Sequence, residues 1–131
     1  MKKISLRIRT EYFEAIQKNE KTVEYRSFTP FWKRRLQGLA DFYTEAVALL
    51  RKHSGDGDFP NGDKQEEAFK KDVHRFIELM ELREAEAVFL CGKNVLRRKI
   101  VSVKHIPTPT NIDKRAVRTP TCYAIGITCK E

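Results

Sequence analysis

No stretch of this sequence approaches the roughly 20 consecutive apolar residues that a membrane helix requires. After the basic start Met1-Lys2-Lys3, the charges at Arg7 and Arg9 break up what would have to be the apolar core of a secretory signal. No membrane partner is expected. Cysteine is scarce: Cys91, Cys122 and Cys129 are odd in number, widely spaced and form no CxxC pair. That argues against a disulfide framework, and a reducing cytoplasm is the simplest setting. The histidines His53, His74 and His105 are scattered, with no zinc spacing and no Cys–His pairing. Phosphate-loop and serine-hydrolase signatures are missing. No cofactor is expected. Glycine and proline are few, and most of them gather in two places, 53–63 and 107–120, which read as loops. Asp56, Asp58 and Asp63 in the first loop are hard oxygen ligands, but their spacing is not that of an EF-hand, and no metal is expected.

Basic charge is plentiful, and its placement matters more than the net +8. Residues 1–35 hold ten Lys/Arg against four Asp/Glu, and residues 87–131 hold nine against two. Residues 36–86 hold seven against twelve. The flanks are thus strongly basic around an acidic middle. Basic flanks favour a polyanion, because neutralising phosphates releases condensed counterions. Excess lysine serving solubility alone is the plainer alternative.

The 131 residues suit one domain with a hydrophobic core of its own. Ile4, Leu6 and Ile8 alternate with polar neighbours, as in a half-buried strand. Thr10 is placed to N-cap a short helix bearing Tyr12, Phe13 and Ile16, and Asn19 tolerates the left-handed turn that ends it. A second strand, Thr22 to Ser27, turns Val23 and Tyr25 to one side and Glu24 and Arg26 to the other. Pro30 opens a helix carrying Trp32, Leu36, Leu39, Tyr43, Ala46 and Leu50, with Gly38 a weak point. A further helix, about Gln65 to Arg83, has Phe69, Val73, Phe76, Ile77 and Met80 on its apolar face. Ala87–Cys91, Arg98–Ile106 and Cys122–Cys129 read as strands, with Lys93-Asn94 as a hairpin tip. The three cysteines fall in these strands and read as small core residues.

One ordered run of residues resembles a known family, the ASCH domain of the PUA-like superfamily. It comprises Ile4 to Tyr12, Ile16 to Lys18, and Asn19-Glu20-Lys21-Thr22-Val23-Glu24-Tyr25-Arg26, close to a Gly-x-Lys-Thr-x-Glu-x-Arg pattern on the second strand. Phe31-Trp32-Lys33-Arg34-Arg35 is similar to an aromatic and basic run that follows the motif in some members. The resemblance covers residues 3–36 well and 87–129 only as a strand pattern. It implies an α+β fold, a small PUA-like β-barrel of five or six strands with flanking helices. It does not cover 37–86; the acidic, amphipathic helical pair at about 31–85 reads by its own composition as an insertion packed as a hairpin on the barrel. The resemblance also implies a cleft for RNA or a nucleotide. One branch looks like N4-acetylcytidine amidohydrolase, with a Lys, a Thr and a Glu as its reacting group. Lys21 matches that Lys, Glu24 stands where the Thr would be, and the 107–120 connection offers only Asp113 for the Glu. Another branch is reported as ribonuclease.

Lys21 and Glu24 are therefore the candidate catalytic pair, Glu24 acting as a general base or as a fixed hydrogen-bond acceptor. A carboxylate accepts from the exocyclic amine of cytosine or adenine, while Arg and Lys suit phosphate and sugar. Arg9, Lys21, Glu24, Arg26 and Arg35 make up the polar set. Trp32 and Tyr123 are candidate stacking surfaces for an unpaired base, although both also fit a core. Arg97-Arg98-Lys99 either tracks a nucleic-acid backbone or ends a strand. Without the family, Lys21, Glu24 and Arg26 form an ordinary ion-pair cluster on a solvated sheet face. Three readings stay open: an RNA or nucleotide binder, a hydrolase or ribonuclease on such a ligand, and a protein partner or second copy docked on the acidic helices.

Overall fold

The computed structural model describes residues 2–53, 63–82 and 84–129, with backbone alone at 63, 64 and 79–82. Among these the chain forms, in order, β1 (Lys2–Arg7), α1 (Thr10–Gln17), β2 (Val23–Ser27), α2 (Pro30–Lys52), α3 (Asp63–Leu82), β3 (Ala85–Cys91), β4 (Asn94–Pro107) and β5 (Thr121–Ile127). The class is α+β, with an open mixed sheet in the order β1-β3-β4-β5-β2. β1 runs parallel to β3, and every other pairing is antiparallel. No described helix is long and apolar enough to cross a membrane.

Local chemistry sets the elements. α1 ends in a Schellman turn: Glu20 N donates to Ala15 O at 2.8 Å and Asn19 N to Ile16 O at 3.0 Å, with Asn19 at φ 61°. Asn19→Val is expected to lower stability by about 1–2 kcal/mol, since a β-branched residue tolerates that φ poorly. Asn19→Gly should leave the denaturation midpoint nearly unchanged, and urea titration separates the two. Arg9, not Thr10, is the N-cap of α1, and no side chain caps that end. Thr10 begins the helix itself, its hydroxyl 3.5 Å from Cys91 Sγ. Thr29 caps α2 by accepting from Trp32 N, with Pro30 in the first turn. α2 runs unbroken through Gly38, whose missing side chain faces open space. Gly92, at φ +60°, takes the first position of the two-residue β3–β4 turn, as a II′ hairpin requires.

β4 is the pivot of the sheet. Its first half pairs with β3 and its second half with β5, with a register shift between Ile100 and Ser102. Such a bulge bends and twists a strand. Leu6, Ile16, Leu36, Leu39, Ala40, Phe89, Val103, Tyr123 and Ile125 form the core on the inner face of this curved sheet.

The two long helices pack together, and the first of them packs on the sheet. The first half of α2 supplies core residues, and Tyr43 OH donates to Ile100 O of β4 at 3.2 Å. α3 lies antiparallel to α2, tied by Arg75 to Glu45 and by Lys52 and His53 to Asp72. Those two contacts from α2 hold the Asp72 carboxyl below its ordinary value. The apolar face expected to be buried on α3 is only partly covered: Val73 and Ile77 are exposed, and Phe69 and Phe76 half-buried. The side chain of Met80, Arg83, and the loop with Asp56 and Asp58 lie outside the described residues, as does the side chain of Asp63. Cys122 is core, but Cys91 is only half-buried and Cys129 lies exposed beyond the end of β5.

Candidate functional site

Three segments meet beyond the C-terminal end of β1. The chain leaves β1 at Arg7, passes Ile8 and Arg9, and enters α1, which presents Tyr12. The Schellman turn then returns it through Lys21 into β2. The 108–120 connection between β4 and β5 closes the third side with Asp113, Arg115 and Ala116. Two hollows share this space, of about 320 Å³ and 220 Å³. Tyr12, Glu24 and Ala116 line both of them.

Glu24 is the floor. On β2 it stands opposite Ile125 of β5, and Arg26 stands opposite Tyr123. Directly opposite residues of an antiparallel pair share a face, so Glu24 and Arg26 point to the core side of the sheet. Glu24 is only 4% exposed. The cluster is not on a solvated face, which overturns the plain surface ion-pair expectation. Glu24 Oε1 accepts from Tyr25 N at 2.9 Å, lies 3.1 Å from Arg26 Nη1 and 3.9 Å from Lys21 Nζ. Glu24 Oε2 is buried and has no hydrogen-bond partner among the described residues.

Arg26 is spent on the protein itself. Its Nη1 donates to Tyr25 O at 2.8 Å and its Nη2 to Arg7 O at 2.9 Å. Its guanidinium lies 5.4 Å from the Trp32 ring centroid, and its side chain is 12% exposed. The bond to Arg7 joins β1 and β2, the two edges of the sheet. Arg26 is thus a positioning group for Glu24 rather than a free phosphate contact. Lys21 Nζ sits 4.9 Å from the Tyr12 ring centroid and 5.9 Å from that of Tyr25, within cation–π range.

At the mouth, Asp113 takes three side chains: Arg9 Nη1 at 3.5 Å, Tyr12 OH at 3.4 Å and Arg115 Nη2 at 3.3 Å. The Arg115 backbone amide and guanidinium hold the Asp113 carboxyl below its ordinary value.

Of the residues singled out in the sequence, Arg9, Lys21, Glu24 and Arg26 converge here. Trp32 does not line either hollow; it is half-buried against the core. Tyr123 is fully buried and donates to Gln37 Oε1 at 2.6 Å, so it is a core residue and not a stacking surface. Burial also raises the pKa of its hydroxyl. Arg35 is exposed on α2, its guanidinium 3.5 Å from the Phe31 ring centroid, away from the cleft. Arg98 is buried within β4 and tracks nothing outside, while Arg97 pairs with Glu86 at 3.0 Å. Tyr12, Tyr25 and Arg115 enter the site unassigned by sequence. Tyr12 reads there as part of the apolar face of α1, and Arg115 as one cation in a loop whose path no local pattern fixes.

Among the described residues no three His, Cys, Asp or Glu side chains gather into a metal-binding group. The cleft is lined by the buried Glu24, by Tyr12 and Tyr25, and by cations at the rim. No protein-family model, no curated protein and no solved structure matches this chain.

Proposed function

We propose that the chain is an RNA- or nucleotide-binding domain of ASCH type and that the Glu24 cleft holds an unpaired base. The observation that carries this reading is Glu24 Oε2, a buried acceptor with no partner among the described residues, on a side chain that lines both hollows. Leaving such an atom bare costs about 1–3 kcal/mol, so a ligand that donates to it gains that back. Oε1 is already taken by Tyr25 N and Arg26. A single free oxygen suits one amine hydrogen, such as the exocyclic amine of cytosine or adenine. Tyr12 and Tyr25 offer ring faces near the same space, and Lys21 supplies a nearby charge. A PUA-like barrel is the fold that goes with this reading. The bulge in β4 and the Arg26–Arg7 bond between the sheet edges support it.

A second reading, hydrolysis of an acylated cytidine, is favoured by one observation: Lys21, Glu24 and Asp113 line the same hollow. Glu24 replaces the threonine of that branch, and Asp113 is engaged by Arg9, Tyr12 and Arg115. Binding without turnover is therefore the stronger of the two, and ribonuclease activity has no residue pattern here to carry it.

The test is direct. Titrating the protein with single-stranded RNA across salt concentrations should show affinity falling as salt rises. Incubation with N4-acetylcytidine should release no acetate. Lys21→Ala should weaken RNA binding. Absence of binding to RNA and to free nucleotides alike, or binding indifferent to both salt and Lys21, sinks the proposal; acetate release that depends on Lys21 moves the assignment to the hydrolase.

A further inference from the structure

At the mouth of the cleft two exposed arginines converge on one carboxylate. Arg9 and Arg115 have side chains 43% and 69% exposed, and both turn to one carboxylate, Asp113. Tyr12 OH joins them from α1. Arg9 also lies 3.8 Å from Glu11. These contacts are long: 3.3 to 3.5 Å to Asp113 Oδ2 from Arg115 Nη2, Tyr12 and Arg9, where charge-assisted N–H···O bonds usually measure about 2.7–2.9 Å. Asp113 Oδ1 accepts from the Arg115 amide at 2.9 Å and from Arg115 Nε at 3.3 Å, so its Oδ2 is the oxygen that two guanidiniums and a phenol share at long range.

We infer that Arg9, Arg115 and the Tyr12 hydroxyl form a subsite for a phosphate monoester, and that Asp113 occupies it as an internal anion when no ligand is bound. A phosphate monoester carries up to two charges and three terminal oxygens, one for each donor. Arg115 already forks onto both oxygens of Asp113, whereas Arg9 reaches only the shared Oδ2; a phosphate has oxygens enough to meet both planar forks. Arg9, Arg115 and Tyr12 line the same 320 Å³ hollow as Glu24. That volume falls at the small end of ligand pockets, about 300–1,000 Å³. The inference rests on the reading of Glu24 as the base acceptor, and it makes the ligand a nucleotide with a terminal phosphate rather than a nucleoside or an internal stretch of RNA.

Calorimetric titration tests it, with AMP and CMP set beside adenosine and cytidine, and with inorganic phosphate as a probe that carries no base. The nucleotides are expected to bind about tenfold or more tightly than the matching nucleosides, the increment of one charge-assisted contact or more. Arg9→Ala and Arg115→Ala should each cut nucleotide affinity toward that of the nucleoside. Asp113→Asn keeps an acceptor for the Arg115 amide but removes the competing charge, and should tighten nucleotide binding. Both arginines are exposed, so circular dichroism should show folded variants. A free nucleotide and a phosphorylated RNA end carry the same group, and short oligonucleotides with and without a terminal phosphate tell them apart. Nucleotides binding no better than nucleosides would overturn the subsite and leave the base reading standing. Inorganic phosphate held through Arg9 and Arg115, with no gain from any base, would keep the subsite and overturn the base reading. No binding of any of these probes overturns both.

Discussion

Replacing Arg26 by alanine is expected to destabilise the fold by about 3–5 kcal/mol, the usual cost of removing one partner of a buried ion pair. Glu24 would stay buried with its nearest cation gone and only the Tyr25 amide and a distant Lys21 left on Oε1. The same change deletes the bond from Arg26 to Arg7 O, which joins the two edge strands. Chemical denaturation should show a large fall in midpoint. Arg26→Lys should recover only part of the loss, because an ammonium cannot reproduce the fork that reaches Glu24, Tyr25 O and Arg7 O together. Pairing Arg26→Met with Glu24→Gln should recover more, because no unpaired charge then remains in the core. If Arg26→Ala costs no more than an exposed ion pair, about 0–1 kcal/mol, the burial of this cluster is wrong and the account of the cleft goes with it.

Glu24→Gln is expected to weaken binding of an amine-bearing base about 10- to 150-fold, corresponding to about 1.5–3 kcal/mol for a hydrogen bond to a charged group. The new amide can keep its oxygen on Tyr25 N and Arg26. Its nitrogen then points where Oε2 stood, so a donor faces the ligand's donor. The fold should survive, because Arg26 retains its bonds to Tyr25 O and Arg7 O. The midpoint should fall, because Arg26 loses its buried counterion, so urea titration comes first and nucleoside or RNA binding is then compared where both proteins are fully folded. A base without an exocyclic amine, uracil, should lose little on the substitution. An equal loss for cytosine and uracil would remove Glu24 from base selection.

The order of elements was readable because each has local chemistry. Ile4 and Leu6 alternate with exposed neighbours, Asn19 sits in the left-handed turn it tolerates, and Pro30 starts its helix. Boundaries moved by one to four residues, most of all at β4, whose hairpin arm Asn94-Val95-Leu96-Arg97 does not alternate. The site was half legible. Glu24 and Arg26 stand on one side of a strand by simple alternation, with Lys21 at its entry, but alternation also assigns the polar side to water. β5 decides otherwise, since its register sets Glu24 against Ile125 and Arg26 against Tyr123. That register joins residues about a hundred positions apart and leaves no trace near either. Tyr123 misleads for the same reason: only the position of β5 between two other strands shows that it is enclosed. Arg115 and Asp113 reach the cleft through the 108–120 connection, whose path is a tertiary matter.

The pairing pattern also governs when the cleft can come into being. Lys2 lies opposite Ala85, and Val23 opposite Gly126. Contacts so distant along the chain make for slow folding, because a long loop must close before any contact rewards it. As the chain emerges from the ribosome, β1 and α1 appear early and wait. Until β5 arrives, β2 has no neighbour, and the carboxylate at position 24 remains hydrated like any other. The cleft is therefore completed only with β5, and on the proposed reading no base is held there until residue 127 has been made.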